Sequence, residues 1–339
     1  MVATHFFAAT ALVATALAAS VTPRAASPWT NFNDNAVFMP KKEATSWGNW
    51  YQPFLYSLPQ DIGGYKKGTI LLAGVSTPRN LTQAYIDLYA STNQGKDWKF
   101  VSHIVYGPGP ETVSQGDRAV WEPFLMMHNG QLVVYYSSQA DLKYNQKLAH
   151  KTTKDLRNWS EEVNDVAYDN ESQRPGMAVV AYSPVSKKYV MACEYCGGPL
   201  TGGCPMYYKV SPDPLAFSAA TAQPIMPNDP SLNPNGSPFI IWTPEPGKNG
   251  RGIFIANGNS REEVFVNTDE LDPNGWKPVS VGQWSAYSRE LRIINTPKNS
   301  AAKGSPKLLI TNGGNIGCSG SSYNYVADGL VDIPTYPVS

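Results

Sequence analysis

The sequence lacks the signs of a helical or multidomain protein. Beyond the N-terminus, no segment of its 339 residues shows a sustained apolar period of 3.6 residues, so we expect few helices. No Gly/Ser linker, charge block or low-complexity tract divides the chain. Its 28 glycines, 28 prolines, 19 tyrosines and 9 tryptophans suit many short strands joined by tight turns. The predicted fold class is all-β.

The sequence also lacks an excess of charge of either sign. Lys+Arg and Asp+Glu balance at 27 each, and no basic stripe is visible. Because nucleic acids are bound through clustered positive charge, we expect no nucleic-acid partner. A neutral polyol such as a sugar needs no net charge on the protein, so it remains open as a ligand.

Long hydrophobic runs are absent except at the N-terminus, where residues 5–19 are apolar. The run is too short to cross a bilayer, and Ala16, Ala18 and Ala19 offer a cleavage site. Residues 1–20 are therefore predicted to be a signal peptide, although no Lys or Arg precedes the run. N-glycosylation sequons, a feature expected of secreted proteins, occur at Asn80, Asn158, Asn170 and Asn235. Such triplets also occur by chance. We expect a secreted, extracellular monomer with no membrane partner.

Cysteine is scarce, with four in the chain. Cys196 and Cys204 bracket a Gly-rich loop that is flexible enough to close, so a disulfide between them is favoured. Cys193 and Cys318 would form the remaining pair. The Cys-x-x-Cys spacing of Cys193 and Cys196 also suits zinc, but no second pair matches it and the histidines lie elsewhere. We expect no metal and no cofactor.

Aromatic residues mark an internal repeat. Each of four aromatics follows a polar, turn-like segment and precedes a short β-prone run, with a period of about 60 residues. These residues are Trp98, Trp159, Phe217 and Trp276. A period of this length built from strand signals is typical of the blades of a β-propeller. Four units and part of a fifth can be traced, each of the four read as four strands, and the aromatic turns fall between the third and fourth.

Proline marks the opening strand of each unit. In four units a polar residue stands before a proline and an apolar run, and proline as the first residue of a strand costs no ladder hydrogen bond. These polar residues are Gln52, Glu122, Arg174 and Ser237, and the fifth unit offers Tyr287-Ser-Arg289 at the same place. The opening strand of a blade lines the axis, and the end of the second strand returns to the same mouth. The second-strand ends supply Gln139, Asp141, Glu194 and Asn257, which completes a predicted substrate pocket.

Two carboxylates stand out at this mouth. Glu122 and Glu194 lie in adjacent units among apolar and aromatic residues, where an ionised carboxylate is costly without a purpose. Two converging acids suit glycoside hydrolysis, in which one protonates the leaving oxygen and the other attacks or activates water. The alternative is structural, with each glutamate satisfying a buried arginine such as Arg174 or Arg289, or backbone amides. By the same measure, Tyr287 could be a packing residue and Asp141 an exposed loop acid.

Several segments resemble the fungal exo-α-1,5-L-arabinanases of glycoside hydrolase family 93, in the sialidase superfamily. They include Trp-Gly-Asn-Trp-Tyr-Gln-Pro-Phe-Leu-Tyr (47–56), Val-Trp-Glu-Pro-Phe-Leu (120–125), Arg-Pro-Gly-Met (174–177), Glu-Val-Phe-Val-Asn-Thr (263–268) and Tyr-Ser-Arg-Glu-Leu-Arg (287–292). The likeness runs from about residue 47 to about 315. The aromatic turns resemble the Asp-box of sialidases, with Asn93 where Asp is usual.

The resemblance implies a six-bladed propeller that releases arabinobiose from the non-reducing end of linear plant cell-wall arabinan, with retention of configuration. It implies catalytic roles for Glu122 and Glu194 and a nearby tyrosine at Tyr287. It does not say which glutamate attacks. The family has one more complete blade before the first unit, whereas residues 21–46 are too few for four strands. We therefore expect an irregular N-terminal segment (21–46) and a propeller catalytic domain (47–339) with five traceable blades. A catalytically inactive carbohydrate-binding propeller and a sialidase-like glycosidase of other specificity are the alternatives.

Overall fold

The protein is described here by a computed structural model that covers residues 49–78, 81–109, 117–200, 202–226, 228–295, 306–314 and 326–335. Within these ranges the chain forms 19 strands in five antiparallel sheets, and helix is confined to three short 3₁₀ turns. The predicted signal peptide, the segment 21–46, Asn80 and Cys318 lie outside the described residues.

Each sheet is one blade, with strands paired in chain order. Blade 1 comprises β1 (Asn49–Ser57), β2 (Ile70–Thr77), β3 (Ala84–Ser91) and β4 (Lys99–Gly107). Blade 2 comprises β5 (Val120–His128), β6 (Gln131–Ser138), β7 (Lys147–Thr153) and β8 (Val163–Val166). Blade 3 comprises β9 (Arg174–Ser183), β10 (Lys188–Cys196), β11 (Met206–Ser211) and β12 (Gln223–Pro224). Blade 4 comprises β13 (Phe239–Pro244), β14 (Gly252–Asn257), β15 (Val264–Thr268) and β16 (Lys277–Val279). Blade 5 comprises β17 (Arg289–Asn295), β18 (Pro306–Asn312) and β19 (Ala327–Asp332). The 3₁₀ turns are Phe217–Ala219, Pro230–Leu232 and Pro273–Gly275.

The five sheets form a β-propeller, as the period predicts. The opening strands β1, β5, β9, β13 and β17 contact one another in succession, so they line the centre. The predicted first three strands of blades 1 to 4 agree with the observed ones to within about two residues, which is the usual uncertainty of strand ends.

The fourth strands of blades 2 and 3 differ from the sequence prediction. From the β-prone run after each aromatic turn, the sequence predicts fourth strands over 159–163 and 217–225. The structure instead has a strand at Val163–Val166 in blade 2, and a 3₁₀ turn followed by the two-residue β12 in blade 3. Both segments lie at the outer edge of a blade, where only one neighbour supplies ladder hydrogen bonds. Propensity alone therefore does not determine pairing there.

The hydrophobic core lies between the blades. One cluster packs blade 1 on blade 2, a second joins blades 2, 3 and 4, and a third joins blades 4 and 5. Tyr135 and Phe254 are wholly buried in the second cluster. The second strands of blades 2, 3 and 4 are covered on both faces and read as continuous apolar runs, whereas β19 of blade 5 alternates between partly buried and exposed residues.

The aromatic turns connect successive blades. Trp159 Nε1 donates to Ser102 Oγ of blade 1 at 3.1 Å. The Phe217 ring packs edge-on against Tyr135 of blade 2 at 6.3 Å, and Trp276 packs edge-on against Tyr208 of blade 3 at 5.4 Å. These residues lie at the β3–β4 end of their blades, opposite the mouth that carries the polar set. Their role is therefore to hold the frame.

The cysteines form one disulfide among the described residues, between Cys196 and Cys204 as predicted. Cys193 is a buried thiol without a disulfide partner among the described residues, and its predicted pairing with Cys318 stays a prediction because Cys318 lies outside them. Burial raises the pKa of the Cys193 thiol to about 12. Within the described ranges, no helix has the length and apolar character needed to cross a bilayer.

Candidate active site

Two β-bulges aim the residues that precede prolines at the mouth. The register of β1 against β2 shifts between Tyr51 and Phe54, and that of β5 against β6 shifts between Trp121 and Phe124. At these shifts Gln52 and Glu122 have φ of 51° and 61°. A positive φ is uncommon for a residue with a side chain and costs about 1–3 kcal/mol, so its presence at two equivalent strand starts makes this mouth a candidate functional site. Ser237, before Pro238, also has a positive φ, of 42°.

The Glu122 carboxylate is held by two donors. Its Oε2 accepts from the Ser137 hydroxyl at 2.6 Å and from the Met177 amide at 2.9 Å. The Glu122 amide in turn donates to Gln52 Oε1 at 3.1 Å. Hydrogen bonds to a carboxylate favour its ionised form, so this environment stabilises negative charge on Glu122.

The Glu194 carboxyl has a less polar environment. Its Oε2 accepts from the Ser237 amide at 3.2 Å. Burial, and next the negative charge of Glu122, raise the pKa of Glu194 from 4.5 to about 7, against the opposing effects of the Ser237 amide and Arg174. A carboxyl with such a pKa holds its proton near neutral pH and is suited to donate it.

The two carboxyl groups converge on Gly176. A Cβ atom at this position would lie 3.2 Å from Glu194 Oε1, 3.5 Å from Glu122 Oε2 and 2.9 Å from Gln146 Nε2. Because both carboxylate distances are measured from one point, these two oxygens lie within about 7 Å of each other, the range that spans a glycosidic bond. The prediction that acids from adjacent blades meet on one rim is fulfilled by the geometry.

Arg174 lies beside the pair. Its Nη2 donates to Gln146 Oε1 at 2.7 Å, and its Nε has no partner among the described residues. Burial lowers the pKa of Arg174, while Glu122 and Glu194 act in the opposite direction. The guanidinium is therefore close enough to both carboxylates to influence their charge.

Tyr287 also lies at the pair. Burial of its hydroxyl, followed by the negative charges of Glu122 and Glu194, raises the pKa of Tyr287. Its ring remains partly exposed, with 40% of the residue accessible. The hydroxyl therefore stays neutral, lies within electrostatic range of both carboxylates and forms a side-chain hydrogen bond with Ser237.

Two further residues of the predicted pocket carry buried polar atoms without a partner among the described residues. These atoms are both amide atoms of Gln139 and Oδ1 of Asn257. Buried polar groups are almost always hydrogen-bonded, so such atoms are satisfied by water or by a ligand hydroxyl.

Asp141 and Arg289 contact other groups. Asp141 accepts from Lys147 Nζ at 3.1 Å. Desolvation opposes its ionisation, but Lys143 and Lys147 outweigh that effect and lower the pKa of Asp141. Arg289 is 2% exposed and donates to the carbonyls of Arg261 and Glu262 at 2.7 and 3.2 Å. Asp141 matches the alternative of a loop acid. Arg289 is bonded to backbone carbonyls, so these contacts do not match the alternative in which a site glutamate satisfies it.

Sequence reasoning missed two side chains of the site. Ser137 donates to Glu122, and Gln146 joins Arg174 to the carbonyl of Pro175. Ser137 lies near the end of β6, a position that the pattern of second-strand ends marks, although that pattern points to Gln139 and Asp141. Gln146 precedes a third strand, a position that the blade pattern does not mark.

Glu194, Cys196 and Cys204 form a cluster of potential metal ligands among the described residues. Both sulfur atoms are committed to the disulfide, so neither is a thiolate able to bind zinc. The arrangement therefore does not fit a structural zinc site.

Solved structures resemble this chain in sequence and fold. The glycoside hydrolase family 93 α-L-arabinofuranosidase of Fusarium graminearum, in complex with arabinobiose, is 38% identical with a TM-score of 0.75. That match covers 83% of this chain and 77% of the Fusarium chain. An α-L-arabinanase of Penicillium chrysogenum complexed with arabinobiose is 37% identical with a TM-score of 0.73, over 83% of this chain and 76% of that one.

No protein-family model matches the sequence, and no curated protein matches it. The identity to the Fusarium enzyme extends over more than two thirds of both chains and is accompanied by the same propeller fold. The chain belongs to glycoside hydrolase family 93 and is a glycoside hydrolase.

Proposed function

We propose that this protein is a secreted, retaining exo-arabinanase that acts on linear α-1,5-L-arabinan and releases arabinobiose. The observation that carries the proposal is the convergence of Glu122 and Glu194 on Gly176 in unequal environments. The arabinobiose complexes of both relatives support an arabinan-degrading glycosidase and favour the disaccharide as product. Exo action is carried over from the resemblance of the motifs.

The separation of the carboxylates is compatible with retention. Inverting enzymes hold their carboxyl groups about 6.5–9.5 Å apart to admit a water, and retaining enzymes about 5–5.5 Å. The bound of about 7 Å holds for one oxygen of each group, Glu122 Oε2 and Glu194 Oε1, and is compatible with the retaining separation. Direct attack by one carboxylate is carried over from the resemblance of the motifs.

The environments assign the roles. Glu194 keeps its proton near neutral pH and gives it to the leaving glycosidic oxygen. Glu122, held ionised by Ser137 and the Met177 amide, attacks the anomeric carbon as the bond to that oxygen breaks. The product of this step is a glycosyl ester on Glu122 and a shortened chain. Glu194, now ionised, then takes a proton from water, whose oxygen displaces Glu122 and regenerates both groups.

Arg174 and Tyr287 support these steps. The positive charge of Arg174 offsets part of the repulsion between two carboxylates, which is greatest when Glu194 has given up its proton. The Tyr287 hydroxyl, which burial keeps protonated, lies near both carboxylates and is hydrogen-bonded to Ser237. Gln139 and Asn257 supply unpartnered polar atoms for sugar hydroxyls.

The test compares Glu122→Gln and Glu194→Gln on linear arabinan and on an aryl arabinobioside with a dinitrophenol leaving group. We expect both variants to lose about 10²–10⁴-fold on arabinan. Glu194→Gln should still form the glycosyl-enzyme from the aryl substrate, which needs no protonation, and azide should restore turnover with retained configuration. Glu122→Gln should show no such retained product.

The matched control is Glu161→Gln, an exposed glutamate of blade 2, which should keep full activity. Proton NMR of the first sugar released by the wild type should show the α-anomer. Release of the β-anomer, or full activity of either site variant, contradicts the mechanism, whereas saturable arabinan binding without hydrolysis favours an inactive binding propeller.

Secretion is the part of the proposal with its own test. We expect expression in a fungal host to deliver the protein to the medium with its N-terminus near residue 20, because residues 5–19 have the length of a signal-peptide core. N-terminal sequencing checks this. Retention of residues 1–20 in an intracellular product contradicts it.

A further inference from the structure

A second cavity lies outside the catalytic site, between the outer strands of blades 2 and 3. It has a volume of about 540 Å³ and is lined by residues of β8, β10, β11 and the segments that follow β8 and the 3₁₀ turn at Phe217–Ala219. Tyr195 lines it, whereas the neighbouring Glu194 does not. Successive residues of a strand point to opposite faces, so β10 separates this cavity from the catalytic pair.

Tyrosines dominate the cavity. The rings of Tyr168 and Tyr195 are stacked, with centroids 4.7 Å apart and planes at 8°, and Tyr207 meets Tyr195 edge-on at 5.1 Å. The Tyr144 ring lines the same space. Aromatic rings with polar tips offer apolar faces for a sugar ring together with hydroxyls for its polar groups.

The disulfide loop holds one wall in place. The hydroxyl of Tyr207 accepts from the Leu200 amide at 3.2 Å, and Pro199 of the same loop lines the cavity. The loop lies between Cys196 and Cys204, whose disulfide limits its movement. The wall is therefore preorganised, which reduces the entropy cost of binding.

Lys209 places a positive charge in the cavity, and Asp165, which also lines it, interacts with this charge electrostatically. It is 5% exposed and lines the cavity, and its Nζ donates to the backbone carbonyl of Asp165 at 3.0 Å. Among the described residues, no carboxylate oxygen lies within 4.0 Å of this Nζ. The Asp165 carboxylate is turned to His150, at 2.9 and 3.0 Å from Nδ1. A buried ammonium without a close counter-ion is costly, and an incoming carboxylate would remove that cost.

We propose that this cavity is a second carbohydrate site, which binds an acidic sugar with its carboxylate on Lys209 and its ring against the tyrosines. It takes a uronate, and neither catalytic glutamate takes part. Its role is to hold the enzyme on an acidic polysaccharide while the catalytic site works on a neutral chain.

The test measures binding of trigalacturonic acid to the full-length protein by isothermal titration calorimetry. We expect binding by the wild type that weakens at least tenfold in Lys209→Met, and a comparable loss in Tyr168→Ala, which changes the wall and leaves the charge. Lys188→Met is the matched control, because it removes one positive charge from the same blade outside the cavity. It should bind like the wild type.

Thermal unfolding identifies a variant that fails to fold. If Lys209→Met does not fold, the binding of Tyr168→Ala is compared with that of the wild type. Absence of binding by the wild type at millimolar ligand overturns the proposal, as do equal affinities of the wild type and both cavity variants. Equal binding of a neutral trisaccharide overturns the role of the carboxylate. Because hydrolysis is not measured, failure here is distinguishable from failure of the proposed arabinanase activity.

Discussion

At the scale of single residues, two glutamates with the same intrinsic chemistry differ in their neighbours. Glu122 accepts two hydrogen bonds on one oxygen, from Ser137 and from the Met177 amide. Glu194 accepts one from the Ser237 amide and lies where burial raises its pKa to about 7. Separation of two carboxyl groups into an ionised one and a protonated one is what acid–base and nucleophilic roles require.

The pH dependence of hydrolysis follows from this difference. The pKa of Glu194 is raised, so its proton is held at low pH and lost as the pH rises through about 7. We expect kcat/KM on linear arabinan to fall above that pH. Arg174 favours the ionised form of Glu194, so Arg174→Met should move the alkaline limb to higher pH.

A pH profile of kcat/KM for the wild type and Arg174→Met measures the shift. Arg292→Gln is the control, because Arg292 is exposed and pairs with Glu290 away from the site. An alkaline limb that stays in place, or moves to lower pH, in Arg174→Met contradicts the assignment of Glu194 as the acid.

At the scale of elements, the residues at the start of the opening strands contribute side chains or backbone amides to the site. In β1 and β5 the bulge contains the proline and the residue before it, so Gln52 and Glu122 are turned out of the ladder. In β9 the corresponding turn comes later, and Met177, with φ of 58°, presents its amide to Glu122. Bulges near active sites re-aim side chains in this way.

Gly176 of β9 is the tightest point of this arrangement. The added methyl of Gly176→Ala would lie 2.9 Å from Gln146 Nε2 and 3.2 Å from Glu194 Oε1, closer than ordinary contacts. We expect kcat to fall at least tenfold, because misplacement of reacting groups by about 1 Å costs up to 10²-fold. The melting temperature should change by only a few degrees.

Steady-state kinetics with thermal unfolding separate these effects. Ala178→Gly, two residues further along the same strand, is the comparison for a change of backbone flexibility alone. Wild-type kcat in Gly176→Ala would show that the carboxyl groups do not depend on this close approach.

At the scale of the whole molecule, the propeller is held by contacts between successive blades. Phe217 of blade 3 is wholly buried against Tyr135 of blade 2, and the Tyr135 hydroxyl donates to the Pro214 carbonyl at 2.8 Å. Glu122 and Glu194 belong to these same two blades. Cohesion between blades 2 and 3 therefore also fixes the catalytic geometry.

We expect Phe217→Ala to destabilise the protein by about 3–5 kcal/mol, the usual cost of deleting a buried aromatic ring. Denaturant-induced unfolding measures the loss. Phe100→Ala, at a residue 40% exposed on blade 1, should cost much less. Equal losses in the two variants would contradict the role of the aromatic turn in joining the blades.

Much of this molecule was predictable because its signals are local and repeated. Proline before an apolar run located the opening strands, and the ends of second strands located Glu194 and Asn257. The bounds of outer strands such as β8 and β12 were harder to predict from the sequence, because these strands have little pairing to define them. The sequence pattern also placed Asp141 and Arg289 in the pocket. In the structure Asp141 accepts from Lys147, and Arg289 donates to the carbonyls of Arg261 and Glu262.

The sequence by itself determined the fold class, the positions of the blades along the chain and the disulfide between Cys196 and Cys204, and it predicted Glu122 and Glu194 as the catalytic pair. Each depends on residue type and spacing along the chain. Only the tertiary structure decided which acid is protonated and which side chains support it, because burial, Ser137, Gly176 and Arg174 reach the pair from different strands. It also placed Lys209 in a cavity of tyrosines. Desolvation and Coulomb interactions depend on distances in space, which no linear pattern encodes.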